Sequence, residues 1–174
     1  LTDHDEIDGI QALRAAQKEL DPNESIKIVN GCEFSADYKD KSIHILGYCF
    51  DETNRELNDF ITFFKRKREE RIDEIIRRCN NEGYHITKKE LIKQFPDTKA
   101  YGRPHIGKLL IDGGYAKDIN DVFKGILRKG SPCYVPKVKV EVQHIIDIIH
   151  KAGGLAVMAH PKLVTSDEYV LEML

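Results

Sequence analysis

Apolar side chains recur at the helical period along much of the chain. Three-residue steps of apolar side chains predict a helix over 7–20. A longer helix is predicted over 57–81, and its middle, 65–71, contains no apolar residue. This polar middle predicts a helix that leaves one packed body and contacts another.

Shorter helices are predicted from capping signals. Thr87 and Glu90 have the spacing of a capping box, in which each side chain binds the main-chain N–H of the other residue. Pro104 stands where the first turn of a helix tolerates proline, and this helix is predicted to run to Asp112. Two more helices are predicted, over 119–127 and 142–152.

Short β-rich runs predict the strands. A first strand is predicted over 26–30, and two more, over 32–38 and 42–50, are predicted to form a hairpin. The apolar run 155–159 predicts a short buried strand that delivers His160 at its end. The helix before it, a Gly-Gly pair and this strand form a unit typical of an α/β barrel or a layered α/β sheet.

Strand-containing and helical regions alternate along the chain. Residues 1–56 and 135–174 combine strands with helices, whereas 57–134 is nearly all helical. We therefore predict an α/β domain that is interrupted by a helical insertion. The chain does not begin with Met and it stops inside an apolar pattern, so we expect a segment of a longer protein.

The composition excludes several classes of protein. Lys and Arg number 27 against 29 Asp and Glu, so no overall charge draws the chain toward nucleic acid or a membrane. No apolar run approaches the roughly 20 residues that span a bilayer. The four cysteines form no Cys-x-x-Cys pair, which argues against a structural zinc site. They predict reduced thiols in a cytoplasmic protein, and Cys79 has the spacing of a core residue.

Four residues in β-type sequence are the candidates for chemistry. His4 precedes the first helix, Glu33 begins a strand, and His160 follows one. His44 lies between Ile43 and Ile45, so its side chain is predicted to point to the opposite face of the strand. Each histidine alone is most simply a structural one. Taken together, three imidazoles and a carboxylate predict a divalent-metal site, but they do not select the metal.

Other polar groups have simpler interpretations. The basic run 65–68 is followed at once by acidic residues, which favours a solvated helix face with ion pairs over a nucleic-acid site. Two carboxylates flank His4. Asp3 and Asp5 have the alternative role of acids at the N-terminus of the first helix. His85, His144 and His150 are interpreted as structural or solvated.

Four motifs, in this order, resemble the PHP (polymerase and histidinol phosphatase) family of metal-dependent phosphoesterases. The motifs are Leu-Thr-Asp-His-Asp at 1–5, Gly-Cys-Glu-Phe-Ser at 31–35, His-Ile-Leu-Gly-Tyr at 44–48 and Ala-His-Pro at 159–161. The branch that they resemble is the TrpH-like one, which includes 3′,5′-nucleoside bisphosphate phosphatases. The resemblance extends over most of the chain, because Arg-Pro-His at 103–105 and Tyr-Val-Pro at 134–136 also resemble this branch.

The resemblance implies roles for particular residues. Glu33 matches a carboxylate that bridges two metal ions, His44 and His160 match ligands of one of these ions, and His4 matches a ligand of a third. Arg103 and His105 match a substrate-phosphate contact, with capping of their own helix as the alternative. The resemblance implies three divalent ions, manganese with iron or zinc as alternatives, in a distorted (β/α)₇ barrel with a helical insertion domain.

The implied activity is hydrolysis of phosphate monoesters by metal-activated water, in which Glu33 and His44 are the catalytic residues. The implied substrates are small nucleotides, such as 3′,5′-nucleoside bisphosphates, or short RNA or DNA ends, and no membrane is involved. A histidinol-phosphate phosphatase and a non-catalytic module are the alternatives. The family's upstream His-x-His pair with its Asp and its downstream Asp-x-His pair do not occur in this sequence.

Overall fold

The structure, a computed structural model, describes every residue of the chain except positions 22, 24, 40, 99, 165 and 174. The described residues form a mixed α/β structure, as the sequence predicts, and their strands form one three-stranded sheet. They divide into two compact units. The first contains 1–64 and 139–174, and the second contains 65–138.

The described helices follow the predicted ones to within a few residues, apart from a last helix that was not predicted. In chain order they are α1 (Asp8–Leu20), α2 (Arg55–Asn81), α3 (Lys88–Gln94), α4 (Arg103–Asp112), α5 (Ile119–Lys124), α6 (Val142–Lys151) and α7 (Asp167–Met173). The strands are β1 (Gly31–Tyr38), β2 (Lys41–Tyr48) and β3 (Leu155–Met158), and a 3-10 turn covers Pro161–Val164. None of the described helices is both long enough and apolar enough to cross a membrane.

The sheet of the first unit has the order β1-β2-β3, with both neighbouring pairs antiparallel. Strands β1 and β2 form the predicted hairpin, in which Ser35 lies opposite His44 and Glu33 lies opposite Leu46. Side chains alternate between the two faces of a strand. Phe34 and its neighbours at even positions of β1 are buried on one face, so the odd positions with Glu33 and Ser35 lie on the other.

Helix α6 covers the buried face of this sheet. Its buried residues, which include Ile145 and Ile149, recur at the helical period. Gly47 allows the close approach, because a Cβ atom there would lie 3.1 Å from Ile149 Cγ1 and 3.0 Å from Phe34 Cε2. The face that carries Glu33 and His44 is thus left as the polar face of the sheet.

The second unit has its own apolar core, built from the second half of α2 and from α3, α4 and α5. Ile75, Cys79, Leu91 and Leu110 are fully buried in it. The capping box predicted before α3 is present, with Thr87 and Glu90 each binding the other's main chain. All four cysteines of the chain are free thiols, as expected for a reduced protein.

Two expectations for the strands are wrong. Residues 26–30 form no strand, and Ile26 and Val29 are 65% and 50% exposed. A β-rich composition forms a strand only where a neighbouring strand and an apolar surface receive it. Strand β3 lies where predicted but is not buried, since Leu155 and Val157 are 64% and 48% exposed. A short apolar run does not by itself reveal how many faces of the strand are covered.

Candidate metal centre

Main-chain pairing brings the first residues of the chain alongside β1. His4 forms a parallel bridge with Glu33. Glu33 N donates to Asp3 O over 3.0 Å, and Asp5 N donates to Glu33 O over 3.1 Å. These two hydrogen bonds flank the His4–Glu33 pair, so the backbone holds the two side chains next to each other.

Glu33, His44 and His160 come together above the polar face of the sheet. Glu33 Oε1 lies 3.0 Å from His44 Nδ1 and 3.1 Å from His160 Nε2. His44 Nδ1 lies 3.1 Å from His160 Nε2. Three donor atoms from three strands or strand ends therefore form a nearly equilateral triangle.

Hydrogen bonds alone cannot satisfy all three sides of this triangle. If both ring nitrogens carry protons toward Glu33, two N–H groups face each other along the His44–His160 side. If His44 donates to His160 instead, the lone pair of His160 faces the carboxylate. A cation above the plane of the triangle would resolve the conflict, because it accepts a lone pair from each atom. Donor atoms about 2.1 Å from an octahedral cation also stand about 3.0 Å apart, which fits the observed sides.

His4 approaches the same carboxylate from its other oxygen. His4 Nε2 lies 3.6 Å from Glu33 Oε2, and its ring centroid lies 4.8 Å from that of His44. One ligand atom each from His4, Glu33 and His44 fits within 4.8 Å of the others. Glu33 therefore presents one oxygen to His44 and His160 and the other to His4, an arrangement suited to a carboxylate shared between cations.

The electrostatics of the cluster suit metal binding. Burial lowers the pKa of His44, the neighbouring His4 lowers it further, and Glu33 opposes the shift. The lowered pKa favours the neutral form of His44, in which imidazole binds a metal. Among the described residues, the ion pairs of Glu33 are with histidines and not with lysine or arginine. The side chains of His4 and His160 are 50% and 40% exposed, so solvent and ligands reach the cluster.

The backbone at His160 has an unusual conformation. Its φ of 31° is positive, which is uncommon for residues other than Gly, although His, Asn and Asp adopt positive φ more often than the rest. Ala159 N donates to His44 O over 2.9 Å, which fixes the end of β3 against β2 immediately before the turn. Leu163 N donates to His160 O on the other side. The turn directs the His160 ring toward Glu33 and His44.

Arg103 and His105 lie in the second unit, at the first turn of α4. His105 Nδ1 accepts a hydrogen bond from Gly102 N over 2.9 Å, so it does cap its own helix. Its ring packs edge-on against Phe95. The guanidinium of Arg103 lies over the Phe123 ring at 5.4 Å.

His85 and the basic run 65–68 also belong to this unit. Arg66 and Lys67 pair with Glu70, as expected for a solvated helix face with ion pairs.

Asp5 has a role that differs from the helix N-terminal acid considered above. Glu6 supplies that function, because its Oε1 accepts from Ile7 N and Asp8 N. Asp5 instead is 4% exposed and accepts from Ser35 N and Ser35 Oγ over 2.8 and 2.9 Å. The signal in the sequence is weak. Ser35 shares a strand face with Glu33, but nothing in the sequence pairs it with Asp5.

Known proteins with similar sequences match most of the chain. No protein-family model matches the chain. The chain is 30% identical over 166 residues to a 5′-3′ exoribonuclease of Haemophilus influenzae, covering 92% of this chain and 57% of the relative. It is 28% identical over 161 residues to a 3′,5′-nucleoside bisphosphate phosphatase of Chromobacterium violaceum, covering 92% and 55%. The chain is related to the PHP family.

A solved structure supports the same relationship. A protein of Bifidobacterium adolescentis, assigned to the metal-dependent phosphoesterases, superposes with a TM-score of 0.81 at 25% identity over 99% of this chain and 61% of that one. The PHP resemblance found in the sequence is thereby confirmed. The chain spans about half the length of the curated relatives that it matches.

Proposed function

We propose that this chain carries the central part of a divalent-metal site that hydrolyses phosphate esters. The observation that carries the proposal is the triangle of Glu33 Oε1, His44 Nδ1 and His160 Nε2, whose sides of 3.0–3.1 Å cannot all be hydrogen bonds. Two imidazoles and a carboxylate suit manganese, iron and zinc, and we favour manganese. Such ions supply a hydroxide at neutral pH and neutralise charge on phosphoryl oxygens.

The residues of the chain have distinct parts in this proposal. Glu33 would be the ligand shared by two ions, His44 and His160 would hold one of these ions, and His4 would hold another, in a set of three. Neutral His44 keeps a lone pair free for its ion at physiological pH. Arg103 and His105 contact a substrate phosphate, for which the planar fork of arginine provides two parallel hydrogen bonds.

We propose that the wider fold is a distorted (β/α)₇ barrel and that the helical region is a domain inserted in it. The similarity to a metal-dependent phosphoesterase over 99% of this chain supports the barrel. The second unit, 65–138, has a separate apolar core, which supports an inserted domain. The rest of the site would come from the part of the relatives' length that this chain does not span.

The favoured substrates are phosphate esters of small nucleotides, such as 3′,5′-nucleoside bisphosphates, or short RNA ends. Both kinds of activity occur among the relatives, as a nucleoside bisphosphate phosphatase and as 5′-3′ exoribonucleases. We propose hydrolysis of a terminal phosphate or phosphodiester by metal-activated water as the reaction that these substrates share.

A substrate panel tests the proposal. The protein at its full natural length is assayed with Mn²⁺ on a 3′,5′-nucleoside bisphosphate, a short 5′-phosphorylated RNA and histidinol phosphate, with and without EDTA. We expect phosphate or nucleotide release from one of the first two, and its loss in EDTA. Release from histidinol phosphate alone would indicate the alternative phosphatase. No release from any of the three would indicate a non-catalytic module and contradict the proposal.

A further inference from the structure

Asp5 lies where the parallel pairing between the first residues and β1 ends. Glu33 N donates to Asp3 O, and Asp5 N donates to Glu33 O. In a continuing parallel ladder the next bond would run from Ser35 N to the main-chain carbonyl of Asp5. Ser35 N donates instead to the side-chain oxygen Oδ1 of Asp5, over 2.8 Å. The carboxylate thus takes the place of a backbone carbonyl.

The backbone of Asp5 explains this replacement. Its φ is 53°, in the left-handed region where Asp and Asn are favoured among residues with a side chain. The chain turns away from β1 at this residue and enters α1 three residues later. The turn makes His4 the last paired residue of its segment, so its ring stands at the end of the ladder beside Glu33.

The second oxygen of Asp5 extends the connection across the sheet. Oδ2 accepts from Ser35 Oγ over 2.9 Å. Ser35 lies opposite His44 in the β1-β2 register and two residues after Glu33 on the same face. One side chain therefore links the backbone that carries His4 to the residue that adjoins both Glu33 and His44.

Burial makes this pair of hydrogen bonds costly to lose. Asp5 is 4% exposed, and it is one of only two buried polar residues in the described part of the chain, together with Asn30. A buried carboxylate is retained where hydrogen bonds satisfy it. The position and the bonding of Asp5 indicate a role in arranging the site.

We propose that Asp5 and Ser35 are positioning residues that hold the candidate ligands His4, Glu33 and His44 in one arrangement. They act through the backbone of β1 and of the segment before α1, to which their hydrogen bonds connect. This inference rests on the proposed function. Replacement of residues that orient metal ligands without binding the metal typically lowers metal affinity 10- to 100-fold.

The test compares Mn²⁺ affinity with folding in the protein at its full natural length. Asp5→Gly permits the left-handed backbone and removes the carboxylate. Asp5→Asn keeps an oxygen for Ser35 N and gains an amide that donates to Ser35 Oγ. We expect the Mn²⁺ dissociation constant of Asp5→Gly to rise about tenfold, and that of Asp5→Asn to stay near wild type. Isothermal titration measures the affinity, and circular dichroism verifies folding at the same temperature.

A matched control is available in the same unit. Asp51 Oδ1 also accepts from a main-chain N–H and a hydroxyl, those of Thr53, over 2.8 and 2.7 Å. Asp51 is exposed and is not among the candidate ligands. Asp51→Gly should leave Mn²⁺ affinity unchanged. A rise equal to that of Asp5→Gly would show a general effect of stability and overturn the inference.

Ser35→Ala keeps the inference testable if Asp5→Gly does not fold. It removes the hydroxyl donor and retains the bond from residue 35 N to Asp5, so we expect a smaller rise in the Mn²⁺ dissociation constant than for Asp5→Gly. Folded Asp5→Gly or Ser35→Ala with wild-type Mn²⁺ affinity would overturn the positioning role alone. A wild-type protein that does not bind Mn²⁺ would overturn the proposed function, and this inference with it.

Discussion

The two units use their polar side chains in different ways. In the second unit, Thr87 and Glu90 satisfy each other in a capping box, and Asp118 caps α5 by accepting from Asp121 N. In the first unit, Glu33 is shared by three imidazoles that compete for its two oxygens. Polar groups that stabilise a fold have complementary partners, whereas this cluster has partners that need a further ligand.

A pair of histidines makes the difference concrete. His105 in the second unit accepts one hydrogen bond at Nδ1, from Gly102 N, and aromatic rings lie around it, so its partners are complementary. Nδ1 of His44 in the first unit lies 3.0 Å from a carboxylate oxygen and 3.1 Å from another ring nitrogen. Both residues were candidate site residues in the sequence. Their surroundings show that the hydrogen bonding of His105 is satisfied, whereas that of His44 leaves room for a metal ion.

The largest expected effect concerns Glu33. Glu33→Gln keeps the size of the side chain but removes its charge, so the cations that it bridges would lose their shared ligand. We expect kcat to fall about a thousandfold, as when a group that stabilises developing charge is removed. The measurement is turnover of the preferred substrate with saturating Mn²⁺. Glu19→Gln, an exposed acid on α1, serves as the control and should retain wild-type kcat.

The next effect concerns the apolar core of the second unit. Leu110 is fully buried there, and Leu110→Ala leaves a cavity. We expect the free energy of unfolding to fall by about 3 kcal/mol, within the usual range for this substitution. Urea unfolding measures it. The Mn²⁺ affinity of the folded variant should not change, and a large change would contradict the division of roles between the units.

A smaller effect is expected at the start of α4. His105→Ala removes the acceptor for Gly102 N, so the free energy of unfolding should fall by about 1 kcal/mol, as for loss of a helix cap. If His105 also contacts substrate, KM rises while Mn²⁺ affinity stays constant. Thermal unfolding and steady-state kinetics on the same preparation distinguish the two. An unchanged KM would leave the residue with its capping role alone.

The smallest expected effect is a pH dependence in the second unit. Hydrogen bonds from Arg77 and Arg78 lower the pKa of Glu74 from 4.5 to about 2. Because the folded-state pKa is depressed, the stabilisation is complete above pH 4.5 and is lost as the pH falls toward 2. The side chain of Glu74 is partly exposed, so salt should reduce the effect. Acid titration of unfolding for wild type and Glu74→Gln measures it, and identical profiles would contradict it.

The sequence predicted well those features that depend on neighbours along the chain. Local spacing predicts the capping box at Thr87. It also predicts that His44 lies on the strand face opposite to Ile43 and Ile45, and both features are found. Features that depend on distant partners were harder to predict. The strand expected at 26–30 is absent because composition does not supply a pairing partner, and the exposure of β3 depends on what covers it.

The candidate site shows the same limit. Order and spacing of the motifs were enough to select His4, Glu33, His44 and His160, which the fold brings together. The partnership of Asp5 with Ser35 was not predicted, because it depends on a left-handed turn that ends a parallel ladder. Turns of this kind depend on the tertiary structure as much as on the residue that adopts them.

The central claim is that the cluster around Glu33 binds divalent metal. The most direct test is an anomalous difference map from crystals of the protein grown with Mn²⁺ and measured near the manganese absorption edge. The account predicts a strong peak beside Glu33 Oε1, His44 Nδ1 and His160 Nε2, about 2.1 Å from each atom, and a second peak beside Glu33 Oε2 and His4. Ordered side chains with no anomalous peak within the cluster would contradict it.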